Sequence, residues 1–268
     1  MIVLDHLTAW ELAPPALIQG AAEAGYDAVS LWFHAPPDGV QTYPIMGDTP
    51  MRRDAIAASR ASGVAIFSIG LFVLTPAGWM PHWDAMLESG AAMGARRAIV
   101  LHYDPEPARA QALLAELAAK AADHGIGVDV EFIARSGLTS LADACDLVEA
   151  IGGDCGVILD PLHLQRTGGS PADVDDRARG LIRYVQLCDG PATMPLERQL
   201  EEGSRQRRLT GEGEFPLTAF VAALRAGVPI GLEIPLSDLA AEGMGPVERS
   251  RKALAAAAPY LALARGEG

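Results

Sequence analysis

Val128-Asp129-Val130-Glu131, Gly156-Val157-Ile158-Leu159-Asp160, Tyr184-Val185-Gln186-Leu187 and Ile230-Gly231-Leu232-Glu233 are four short apolar runs. Each carries an oxygen-bearing side chain at or beside its end. A helical stretch separates each run from the next. Continuous apolar runs of this length are what parallel strands buried on both faces look like. If the four are neighbours in a closed barrel, Glu131, Asp160, Gln186 and Glu233 converge on one mouth. Three carboxylates and an amide oxygen in one place make a site for a hard divalent cation.

Four more strand-like runs lie upstream, Ile2 to His6, Ala28 to Phe33, Val64 to Phe72 and Ala98 to His102. With Val128 to Glu131, Val157 to Asp160, Tyr184 to Cys188 and Ile230 to Ile234 they make eight. Helical segments fill the gaps. Thr49-Pro50 and Ser170-Pro171 place a cap before a proline at a first turn. Pro105 to Asp123, Thr139 to Ile151 and Leu217 to Ala226 are helical patterns with glycine just beyond, and Pro246 to Ala264 forms a last, Ala-rich helix. Eight right-handed βα units in 268 residues predict a (β/α)8 TIM barrel as a single domain over 1–268. The longest irregular segment, 189–216, follows the seventh strand and so belongs to the active face, as a lid or mobile insert.

Half the residues are hydrophobic and 21% are charged, which describes a globular chain. A net charge of −13 speaks against nucleic acid and anionic membrane surfaces as partners. Cys145, Cys155 and Cys188 lie in apolar segments and read as reduced, buried thiols. Met1-Ile2-Val3-Leu4 begins as a strand with no charged leader, and no apolar stretch is long enough to span a membrane. The expectation is a cytoplasmic protein with a small-molecule substrate, and the Ala-rich last helix suits a homodimer.

In such barrels the chemistry sits at the C-terminal ends of the strands. His6, His34 and His102 close strands one, two and four, and His163 follows Asp160 by three residues, so these four histidines gather at strand ends. His6, His34 and His102 are candidate substrate contacts, with a rim histidine as the alternative for each. Arg207 and Arg208, in the long loop, either reach a substrate anion or are solvated. Asp189 reads as an Asx-turn cap, and Trp79 with Trp83 as a core pair at helical spacing. Glu131 and Glu233 have their own alternative, as rim carboxylates paired with Arg135 or Arg208.

Glu on strand five, Asp-x-x-His on strand six, a ligand on strand seven and Glu on strand eight resemble the xylose isomerase-like TIM barrels. The closer likeness is to the sugar phosphate isomerase/epimerase superfamily, and Gly211-Glu212-Gly213 is similar to its glycine-containing loop. The resemblance covers nearly the whole chain. It implies Glu131, Asp160 and Glu233 as metal ligands and His163 as a group near the metal or substrate. The seventh-strand ligand is usually histidine in that superfamily and here is Gln186. An amide oxygen is a neutral, hard donor, which moves the preference from zinc toward Mn²⁺ or Mg²⁺. Gln at this place also resembles the 3-dehydroshikimate dehydratase branch.

The implied reaction is proton transfer beside a carbonyl, with the metal stabilising an enediolate and Glu131 and Glu233 as acid and base. Which glutamate removes the proton is open. The leading expectation is a metal-dependent isomerase or epimerase of a sugar, sugar phosphate or polyol ketone. The alternative is a lyase, a dehydratase of a cyclic hydroxy-ketone that shares the first step. A non-catalytic sugar-binding barrel is a third class. The barrel also hosts apurinic endonucleases, but those need several metals and a basic groove, which the acidic balance here disfavours.

Overall fold

A computed structural model describes residues 1–33 and 43–267. Eight strands close into a barrel, β1 (Ile2–Asp5), β2 (Ala28–Trp32), β3 (Ala65–Leu74), β4 (Arg97–His102), β5 (Gly127–Glu131), β6 (Cys155–Leu159), β7 (Ile182–Leu187) and β8 (Ile230–Leu232). Every neighbouring pair is parallel, including β8 against β1. The eight expected runs are the eight strands, with ends moved by one or two residues. Glu233 lies one residue past β8. Asp160 lies one past β6 and caps the helix Pro161–Arg166, its Oδ1 accepting the Leu162 N–H at 2.7 Å. No helix among the described residues is long and apolar enough to cross a membrane.

Alternation along each strand sorts the side chains. Outward residues such as Leu4, Val29, Val100, Val130 and Val185 join the helices in one large apolar core. Inward residues such as Val3, Trp32, Ile99, Leu101, Ile158 and Tyr184 fill the barrel. The layering is that of a packed barrel core, not a pore.

At the N-terminal end of the strands the filling turns ionic. Arg97 on β4 donates through Nε to Asp129 on β5 at 2.7 Å, forms a second bond to the same carboxylate, and reaches Asp154 at 2.7 Å. A Cβ at Gly127 would fall 1.9 Å from Arg97 Nη1, so only glycine leaves room for the guanidinium. Burial pushes the Asp129 carboxyl upward while Arg97 pulls it back. The pair therefore has to stay complete.

The segment 189–216 corrects the expectation of an irregular insert. It contains a 3₁₀ turn, Leu196–Arg198, and a helix, Gln199–Arg205. Asp189 fastens both of its ends, accepting the N–H groups of Gly190 (2.8 Å), Gly211 (2.9 Å) and Phe215 (3.1 Å). Arg166 fastens its middle, bonding Glu202 at 2.5 and 2.7 Å and the Pro191 carbonyl at 2.7 Å. A cover tied at three places is part of the scaffold.

Removing one partner of a buried ion pair strands the other charge. Arg97→Met is expected to lower stability by about 3–5 kcal/mol, and the added change Asp129→Asn to restore part of it. Urea unfolding midpoints at pH 7 measure both. A single variant as stable as the parent would remove this cluster from the account of the fold.

Candidate metal centre at the barrel mouth

The inward positions of the last four strands put Glu131, Gln186 and Glu233 in the wall of one cavity, with Asp160 buried behind it. One ligand atom from each of Glu131, Asp160 and His163 lies within 4.8 Å of the others. Glu131 Oε1 and Gln186 Oε1 are buried and accept no hydrogen bond. An unsatisfied buried acceptor costs about 1–3 kcal/mol, so these two oxygens, beside two further carboxylates, are open to a donor or a cation in the cavity. A hard divalent ion suits this donor set. Glu131, Asp160 and His163 are the cluster whose spacing fits such an ion; Gln186 and Glu233 share the wall outside that cluster.

One positive charge is supplied by the chain. Arg207 reaches in from the tied-down loop, with Nη1 2.6 Å from Asp160 Oδ2 and Nη2 2.6 Å from Glu233 Oε2. Its Nε donates to the Gly203 carbonyl at 2.7 Å, which fixes the plane of the guanidinium. The Arg166–Glu202 pair holds the helix that carries Gly203. Arg207 is thus aimed from residues four and five positions back in the chain.

The protonation states follow from burial set against neighbours. Burial works to raise the Asp160 carboxyl, but Arg207, His163 and the Leu162 N–H together hold it below the usual range. Burial raises the Glu233 carboxyl to about 7, with Glu131 and Asp160 adding and Arg207 and His163 opposing. His163 Nε2 sits 3.3 Å from Glu131 Oε1, ion-pair range without hydrogen-bond alignment. Burial would lower that imidazole, yet Glu131 and Asp160 outweigh it and raise it. Beneath the site, Asp5 is pushed up by burial and by Glu233, and Tyr184 Oη bonds its two oxygens at 2.9 and 2.8 Å.

Three expected substrate contacts are elsewhere. His6 does not line the cavity: its Nδ1 accepts the Trp32 N–H at 3.1 Å and its Nε2 donates to the Leu12 carbonyl at 3.0 Å. Its ring stacks on Trp32 and Tyr43, and burial lowers it to about 4, so it is neutral filling. On β1 the inward carboxylate is its neighbour Asp5. His102 is turned outward by the same alternation, since β4 sends Ile99 and Leu101 into the cavity. It packs against Gly137, where a Cβ would lie 2.4 Å from its Nδ1. Arg208 is exposed and outside the cavity, its backbone paired with Asp189. His34 lies outside the described residues. Arg207, by contrast, is buried at the mouth. Trp79 and Trp83 meet edge to face at 5.0 Å, and Trp83 is buried.

Asp5, Arg166 and Glu202 went unread in the sequence. A period-2 count along β1 would have found Asp5, but nothing local marks the Arg166–Glu202 pair, whose members are 36 residues apart.

The family model described as xylose isomerase-like TIM barrel matches residues 18–258. The chain belongs to that family. A curated relative, the 3-dehydroshikimate dehydratase of Pseudomonas aeruginosa, is 33% identical over 135 residues, which cover 48% of this chain and 21% of that protein. The chain therefore spans about a fifth of the length of the curated relative it matches. Among solved structures of similar fold is the IolI protein with a binding zinc atom, with a TM-score of 0.75 at 14% identity over 99% of this chain and 98% of that one. Another is D-psicose 3-epimerase with D-tagatose from Clostridium cellulolyticum H10, with a TM-score of 0.73 at 13% identity over 97% and 98%.

A carboxyl raised from 4.5 to about 7 on folding favours the folded state below pH 4.5 and loses that contribution as pH rises through 7. In chelator, Glu233→Gln and the parent are expected to melt together at pH 5. At pH 7.5 the variant should be the more stable by on the order of 1–3 kcal/mol. Thermal melts at the two pH values check this, and a gap that does not widen with pH counts against the raised carboxyl.

Proposed function

We propose that this protein is a divalent-metal-dependent isomerase or epimerase. It would move a proton beside the carbonyl of a hydroxy-ketone, the group that sugars, sugar phosphates and polyol ketones share. The observation that carries the reading is a pair of buried oxygens, Glu131 Oε1 and Gln186 Oε1, that accept no hydrogen bond from the chain, in a cavity shared with Glu233 and His163. An ion held there by Glu131, Asp160, Gln186 and Glu233 would supply Lewis-acid stabilisation of the charge that develops on a carbonyl oxygen. The neutral amide oxygen of Gln186 and three carboxylates suit Mg²⁺ or Mn²⁺ better than Zn²⁺.

The chain's own groups suit the proton transfer. Without an ion, burial holds the Glu233 carboxyl near 7; a bound cation would lower it toward the carboxylate that a general base needs. Glu131 is the second carboxylate, with Oε1 accepting no hydrogen bond and paired only with His163 at 3.3 Å. Arg207 fixes one oxygen of Glu233, which leaves the other to face the guest. His163 stands beside Glu131 as a donor to a substrate oxygen.

A lyase is the second reading, supported by the likeness to the 3-dehydroshikimate dehydratase. It shares the proton abstraction and then expels a β-hydroxyl. Incubation with Mn²⁺ in D₂O separates the two. Deuterium entering recovered hydroxyacetone, the minimal hydroxy-ketone, without an ultraviolet-absorbing product supports the isomerase. A rising ultraviolet band from 3-dehydroshikimate supports the lyase. Glu131→Gln and Glu233→Gln are each expected to slow exchange by about 10²–10⁴-fold, and Gln186→His to move the metal preference toward Zn²⁺ in equilibrium dialysis. A chain that binds no divalent ion and exchanges no proton would overturn both readings.

A further inference from the structure

The cavity over the site, about 1010 Å³, has two unlike halves. The wall built by β5, β7, β8 and the tied-down loop presents Glu131, Gln186, Glu233 and Arg207. Across from it the strands send in only hydrocarbon and one indole: Trp32 from β2, Leu71 and Val73 from β3, Ile99 and Leu101 from β4. The polar groups on that side among the described residues, Trp10, Glu11, Thr75, His82 and Tyr103, lie beyond the strand ends, and Glu11 is bonded to Arg249. A guest that puts its ketone on the polar half must lay its remainder along the apolar half.

An open-chain polyol is a poor fit to such a wall. Each hydroxyl buried without a partner costs roughly one to two orders of magnitude in affinity. Each buried methylene gains roughly fourfold. A phosphate is no better served. The two buried guanidinia in the cavity wall are already committed, Arg207 to Asp160 and Glu233 and Arg166 to Glu202, and the other lining arginines, Arg135 and Arg205, are exposed to water at the rim. The space also exceeds what a six-carbon sugar needs, standing at the upper end of small-molecule sites.

We infer, resting on the hydroxy-ketone chemistry proposed above, that the substrate carries an apolar ring or hydrocarbon body. Its polar head meets the carboxylate pole, and its body lies against Trp32, Leu71, Val73, Ile99 and Leu101. The strands β2 to β4 set the choice of guest, and β5 to β8 set what is done to it.

Calorimetric titration of the Mn²⁺-loaded protein with three probes tests this. Hydroxyacetone is the head alone, 2-hydroxyacetophenone adds an aromatic body, and D-fructose adds a polyol body. The aromatic probe is expected to bind at least 30-fold tighter than hydroxyacetone, and D-fructose no tighter than hydroxyacetone. Val73→Thr, which keeps the shape of the side chain, and Leu101→Asn should each cut the aromatic preference at least threefold. D-fructose binding as tightly as the aromatic probe, or none of the three binding, overturns the inference. Metal-dependent deuterium entry into hydroxyacetone reads the head chemistry separately, so a failed ranking with intact exchange would sink the apolar body alone.

Discussion

Buried negative charge is the constraint around which this molecule is arranged. Glu131, Asp160 and Glu233 are withdrawn from water at one end of a barrel, where like charges repel strongly and desolvation penalises each of them. The guanidinium of Arg207, set between Asp160 and Glu233, answers part of that charge. The rest is answered by His163 and by the carboxyl of Glu233 being raised toward neutrality. Glu131 Oε1 and Gln186 Oε1 accept no hydrogen bond within the chain, and on the function proposed above a cation would take them.

Holding Arg207 in that place explains features remote from it. Its side chain enters from a loop, and a loop on its own would let a long, flexible cation swing into solvent. Asp189 knots the two ends of the segment, Arg166 and Glu202 clamp its helix, and the Gly203 carbonyl takes the Nε–H of Arg207. A Cβ at Gly213 would lie 2.1 Å from Asp189 Oδ1, so the knot closes only around glycine. The glycine pair at 211 and 213 is thus tied to the electrostatics of the mouth through the carboxylate of Asp189.

Much of this was legible in the chain before its fold was known. Eight buried runs announce themselves by composition, and the acids at 131, 160 and 233 stand out because a carboxylate at the end of an apolar strand needs a reason. His6 and His102 both close a strand, but a place at a strand end does not by itself set which way a side chain points. Asp5 and Leu101, each one residue earlier, face inward, so both histidines turn away from the cavity, His6 onto Tyr43 and the Leu12 carbonyl and His102 onto Gly137. Arg207 and Arg208 could not be told apart, because which of two adjacent loop cations turns inward depends on contacts with Asp160, Gly203 and Glu233, distant in sequence.

The division of the mouth also follows the order of the chain. Every strand that walls the apolar half is complete by residue 102, and every strand bearing the acids begins at residue 127 or later. Recognition and reactivity are thus written in separate, consecutive stretches of one polypeptide. Exchanging the earlier stretch between relatives of this architecture would hand the same acids a different diet, a modular route by which one barrel chemistry can spread across unrelated molecules.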